Sequence, residues 1–320
     1  VSFIKNKISG GYYNMYFYHA GGSVSTTVAG KITIDSNTLS DAYYYSIYTF
    51  CIWYFPSISH NKITNRSSNG TFFGMYIYYY TTVYSLVGNK IHISNTTGTT
   101  YGIYVDQYVN TQSWGTGGAM FAANNEIIIT NASSTTYGIY TGTATTNNMK
   151  ADFLFNSIYI SSSSTTYGLY RGYCASSYMI SFQRNIVYVN NPSSTVYLLY
   201  VYSSYESSSY GIINYNNYYR NGGGTTYFGN SSYTSLATWR NAYSQDMNSI
   251  NVLPIFVDPT QNLELADYSS VMCPNIGVLE DINGESRTTY TTLGAYTVFI
   301  YNGRNLGLLK LLEPINTDQI

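Results

Sequence analysis

The sequence predicts an all-β fold: a parallel β-solenoid of about eight or more coils, with no substantial helix. Three observations predict it. Two short phrases alternate down the 320-residue chain, and successive copies lie 28 to 36 residues apart. Each phrase alternates with period two, as a strand does. Clusters of Ser, Thr, Asn and Gly separate the phrases, and no segment carries sustained helical periodicity with capping signals.

The first phrase is Asn-x-Ile-x-Ile. It reads NKITN from Asn61, NKIHI from Asn89, NEIII from Asn125, NSIYI from Asn156 and NIVYV from Asn185, with earlier forms at Asn6 (NKISG) and Gly30 (GKITI). The second phrase is aromatic-x-[Ile/Leu/Met]-Tyr. It reads YNMY from Tyr13, YSIY from Tyr45, FGMY from Phe73, YGIY from Tyr101 and Tyr137, YGLY from Tyr167 and YLLY from Tyr197. Fixed-period self-similarity without a crossover helix marks a solenoid. If each coil stacks on the next as parallel sheet, it rises by about 4.8 Å, and equivalent residues stand in columns.

The columns account for the spelling. Ile63, Ile91, Ile127, Ile158 and Val187 form one inward stack; Ile93, Ile129, Ile160 and Val189 form the next; Ile103, Ile139, Leu169 and Leu199 line another sheet. A close-packed interior of nearly constant width keeps each column to one residue size. The asparagines Asn61, Asn89, Asn125, Asn156 and Asn185 are expected to form a buried ladder at a turn, amide to amide. The closing residue of the second phrase falls opposite the Ile. That predicts an outward tyrosine ladder of Tyr16, Tyr48, Tyr76, Tyr104, Tyr140, Tyr170 and Tyr200, with Gly74, Gly102, Gly138 and Gly168 on the same face, leaving room for the rings to lean. Lys7, Lys31, Lys62 and Lys90 follow the ladder position and are expected to point outward in one row, as a solvated edge or as a seat for an anionic glycan or acidic partner.

Composition excludes several classes. Charged residues are 9% of the chain and the net charge is −1, which argues against a nucleic-acid or anionic-membrane surface. No apolar run approaches the roughly 18 to 20 residues needed to span a bilayer. The 40 tyrosines argue against disorder. Cys51, Cys174 and Cys273 are far apart and show no metal or disulfide framework. No cofactor or metal is expected; His19, His60 and His92 read as isolated surface or loop residues. Val1 is not a natural start residue, so the chain reads as a processed or truncated piece.

These phrases, over roughly residues 1–217, resemble the repeats of right-handed parallel β-helix proteins of the pectate-lyase-like superfold. Further on, NYNNYYRNGGGTTYFG (214–229), SYTSLATWRNAYSQDMNSI (232–250), LPIFVDP (253–259) and DINGESR…LGAY (281–296) are similar to the closing coils of β-helix regions in large secreted bacterial surface proteins. Thr297 stands where that family usually has Glu. The resemblance implies coils over 1–217, closing coils and a cap over 218–300, and a linker or first strand of an Ig-like domain over 301–320. It also implies export, by a type IX route, and structural roles in the cap for Asp258, Asp281 and an acid-paired Arg287.

The superfold hosts enzymes, adhesins and spikes, so fold alone does not give function. Enzymes of this kind need clustered carboxylates on adjacent coils. Asp35, Asp106, Glu126 and Asp152 occupy different phrases and do not stack. The reading is a structural or adhesive segment of a secreted or cell-surface protein, presenting a tyrosine-rich face to a glycan or protein surface. The alternatives are a polysaccharide lyase or glycoside hydrolase, and a passive spacer in an exported cargo.

Overall fold

A computed structural model describes residues 1–18, 32–50, 55–78, 81, 83–106, 120–142, 150–173, 179–192 and 194–298. The expectations for His19, Lys31, Cys51, Cys174 and residues 301–320 lie outside the described residues.

The chain winds into a parallel β-solenoid with three faces, each an eight-stranded sheet. One middle level shows the plan: Met120–Ala123 in the first sheet, Glu126–Ala132 in the second, Thr136–Thr141 in the third. The end levels are short, with three-residue strands at Ser2–Ile4 and Lys7–Ser9 and a two-residue strand at Ile213–Asn214. The regular coil between them is about six turns, fewer than the eight or more expected. Among the described residues, helix is confined to a 3₁₀ turn at Ser208–Tyr210 and the eight-residue α1, Leu236–Tyr243.

Each sheet contributes a file to an apolar interior. Ile34, Ile58, Leu86, Ala122, Phe153, Phe182 and Ile213 stand in register in the first sheet. Leu39, Ile63, Ile91, Ile127, Ile158, Val187 and Tyr218 do so in the second, and Ile47, Met75, Ile103, Ile139, Leu169, Leu199 and Phe228 in the third. All are buried.

A two-residue corner joins the first sheet to the second. Its first residue is left-handed at every level: Lys5, Ser36, His60, Gly88, Asn124, Phe155, Arg184 and Tyr215, with φ between 53° and 68°. For a non-glycine residue this costs about 1–2 kcal/mol. The second residue of the corner is always Asn, and its amide recovers the loss. Asn125 is typical: its backbone N–H and Nδ2 both donate to Asn156 Oδ1 (3.0 and 2.9 Å), and Nδ2 also donates to the Leu86 carbonyl (2.9 Å). The same pattern links Asn37, Asn61, Asn89, Asn125, Asn156, Asn185 and Asn216, all buried. The GKITI phrase differs from its expected place. Ile34 belongs to the first sheet, beside Phe3 and Ile58, and the second-sheet strand of that level is Thr38–Ser40 behind Asn37.

The last coil is closed by residues 230–250. Ser235 caps α1 by accepting from the Thr238 N–H (3.2 Å), and Trp239 is buried on the end of the core beside Tyr233 and Tyr243. Residues 251–298 then turn back along the rod. Two antiparallel strand pairs, Ile255–Asp258 with Asn262–Asp267 and Met272–Pro274 with Tyr290–Thr292, cover the outside of the second sheet. There Phe256, Leu263, Val271 and Tyr296 form a second apolar core with Ile128, Tyr159 and Ile186. Arg287 does not pair with an acid as expected. It lies 4.2 Å over the Phe155 ring and donates to the Thr292 and Gly294 carbonyls and to Asn124 Oδ1. Asp281 accepts from the amides of Asn283, Glu285 and Thr297, so a backbone N–H at Thr297 ties this turn together.

Candidate functional site

The third sheet presents two aromatic columns. Tyr16, Tyr48, Tyr76, Tyr104, Tyr140, Tyr170 and Tyr200 stand in one file, with successive centroids 4.5–5.3 Å apart and ring planes within 25°. Beside it runs a second file: Tyr13, Tyr45, Phe73, Tyr101, Tyr137, Tyr167, Tyr197 and Tyr227. Its centroids are 4.6–5.3 Å apart, with planes within 24°. Rings of different files meet nearly at right angles. Tyr137 stacks on Tyr101 and Tyr167 (4.7 Å each) and meets Tyr140 and Tyr170 edge to face at 5.2 and 5.6 Å. The result is a herringbone pavement in which each favourable pair is worth about 0.5–1.5 kcal/mol.

Strict period-two reading finds only one of these files, because each level sets two consecutive inward residues between its two outward rings. The paired positions run Tyr101, Ile103, Tyr104 against Tyr137, Ile139, Tyr140, so the backbone bends at Gly102. Gly74, Gly102, Gly138 and Gly168 are buried and face inward, a correction to the outward placement expected from alternation. A methyl group on Gly102 would lie 2.6 Å from Ile127 Cγ2 and 2.6 Å from the Gly138 carbonyl oxygen. Ser46 and Leu198 fill the same buried place at other levels, and there too both tyrosines turn out.

The pavement half-buries its own phenols. Burial, reinforced by neighbouring phenols, pushes Tyr48, Tyr140 and Tyr167 up to about 12, and Tyr45, Tyr76, Tyr104, Tyr137 and Tyr170 also move up. At one margin burial pushes the Asp106 carboxyl up to about 6. Ring faces within a file are covered by the rings above and below, so solvent meets edges and hydroxyls.

The lysine row is interrupted. In register the row reads Lys7, Thr38, Lys62, Lys90, Glu126; Thr38 takes the place expected of Lys31. Lys7 and Lys62 are exposed, whereas Lys90 lies 5.3 Å from the Tyr296 ring centroid. Two histidines also depart from expectation by having acid partners. His60 Nδ1 is 2.9 Å from Asp35 Oδ1, and His92 Nε2 is 2.7 Å from Glu126 Oε1.

Glu126 is the knot of the flank. Its carboxylate is buried, and it also accepts from the Leu263 N–H (2.9 Å) and the Tyr296 hydroxyl (2.6 Å). Burial pushes its pKa up, but the bonds from His92, Tyr296 and Leu263 outweigh that and hold it below the usual value. Beside it is a cleft of about 190 Å³ lined by Arg66, His92, Ser94, Thr130, Thr260 and Gln261. A shallower groove of about 480 Å³ runs along Asn131, Ser133, Ser161, Ser163 and Asn190. Among the described residues no group of three or more His, Cys, Asp or Glu is placed to hold a metal ion, and no helix is long and apolar enough to cross a membrane. Besides the phrases LPIFVDP and DINGESR…LGAY, the sequence signals the flank at the outward position of the second sheet, which changes from Thr64 and His92 to Ile128, Tyr159 and Tyr188.

Fold and face together define a parallel β-solenoid with a tyrosine-rich surface. No family model, no curated protein and no solved structure matches the chain.

Proposed function

We propose that the chain is a structural and adhesive segment of a secreted or cell-surface protein, of the right-handed pectate-lyase-like kind, whose third sheet is its contact surface. The observation that supports this is the double file of rings, which covers one whole face of the rod with half-buried, hydroxyl-bearing edges. Large continuous aromatic surfaces of this sort mark contact sites. The geometry favours a protein surface over a glycan. A sugar ring stacks on an open aromatic face, and here those faces are turned toward neighbouring rungs. Glu126 is buried and engaged by His92, Leu263 and Tyr296, and Asp106 stands apart from it on another sheet, which favours the adhesive reading over an enzymatic one.

The test is surface binding by the purified chain, over a panel of immobilised proteins and polysaccharides, with Tyr104→Ala and Tyr140→Ala alongside. The expected outcome is adhesion to a protein surface that falls at least about tenfold in both variants while their circular dichroism is unchanged. Cleavage of a polysaccharide, or adhesion indifferent to both substitutions, overturns the reading.

A further inference from the structure

We propose that the partner of the tyrosine face is a second copy of this chain, docked face to face about a two-fold axis. This rests on the contact role proposed above for the same surface. The face is periodic. The rungs repeat at 4.5–5.3 Å along the rod, and a partner that meets every rung must repeat at the same interval. An irregular protein surface meets a few; another copy meets all of them, because its rungs are set by the same strand spacing. The match survives reversal of one rod, so the two-fold pairing usual for homodimers fits without adjustment.

The face also matches itself chemically. A phenolic hydroxyl both donates and accepts, so a surface of such groups is complementary to itself. It needs no opposite charge on its partner, and it carries little of its own. In the third-sheet strands the charged residues are Arg171, buried inward, and Asp106, at the end of its strand. Copies therefore meet without like-charge opposition.

The face is large enough to pair. Eight strands at about 4.8 Å give a face roughly 34 Å long, and four to five residues across give about 15 Å of width. That is about 500 Å² on each copy and about 1,000 Å² in the pair, the lower bound for a specific interface. The pairing is accordingly reversible and concentration-dependent.

Sedimentation velocity and small-angle scattering of the 320-residue chain test this. A monomer–dimer equilibrium is expected, with the dimer thicker than the monomer but scarcely longer. Tyr140→Lys is expected to raise the dimer Kd at least about tenfold, while Asn131→Lys, away from this face, leaves it within about twofold. A chain that stays monomeric at all accessible concentrations overturns the proposal, as does a dimer that doubles in length. A monomer whose adhesion to another protein is lost in Tyr140→Lys also overturns it, yet leaves the contact role of the face standing. A monomer with no adhesion at all removes both.

Discussion

Asn125 shows how much one side chain carries. It donates to Asn156 Oδ1 and the Leu86 carbonyl, and its Oδ1 accepts from the Asn89 N–H and Nδ2 at 3.0 Å each. Truncation leaves buried donors and acceptors on the levels above and below without partners. Each such group costs about 1–3 kcal/mol, so Asn125→Ala should lose on the order of 3 kcal/mol or more. Asn221→Ala is the matched control, because Asn221 is exposed and gives up one bond to Asn190; it should lose less than about 0.5 kcal/mol. Urea unfolding measures both. A loss under about 1 kcal/mol for Asn125→Ala would contradict the weight given to the ladder. The ladder asparagines are legible in the sequence because nothing else satisfies that corner at every level. The residue before each of them is not legible. Lys5, Ser36, His60, Phe155 and Arg184 share only a backbone angle and no chemistry.

At the scale of the strand, the tyrosine files have a consequence in alkali. Folding raises the phenols of Tyr48, Tyr140 and Tyr167 from the ordinary 10 to about 12, chiefly by burial. The folded state thus keeps neutral groups that the unfolded chain ionises. Their contribution is complete below about pH 10 and is lost as pH rises through about 12. Upward titration should show tyrosinate absorbance rising late and together with loss of the sheet signal. Full ionisation of the files near pH 10 with the fold intact would contradict the packing described. Alternation was enough to read the strands and the inward files, because most positions obey it. It fails at Gly102, because Gly102 and Ile103 both face the interior, as Ser46 with Ile47 and Leu198 with Leu199 do at other levels. It also misplaced GKITI, since a Thr–Ile–Asp strand of the first sheet and an Asn-led strand of the second spell nearly the same pattern.

For the molecule as a whole, the flank is fastened to the rod by a shared apolar core and by a set of polar contacts. Glu126 is one, reaching residues 137 and 170 positions away. Its carboxyl is held below the ordinary 4.5, so the stability it supplies is present above that value and is lost as pH falls through the depressed one. Hydrogen exchange should show amides of 252–298 opening first on acidification. Glu126→Ala should speed their exchange at neutral pH by about tenfold or more, with third-sheet amides unmoved. Equal protection of the flank in variant and parent would remove Glu126 as the fastening. The asparagine ladder has a further consequence at this scale. Every ladder amide from Asn37 to Asn185 donates toward the next level, and Asn216 then donates to Ser249 Oγ and Asp246 Oδ1. The side-chain dipoles are therefore aligned along the axis, as peptide dipoles are in a helix, with their positive ends directed at a buried carboxylate. The rod has electrical polarity, and its two ends are chemically unlike.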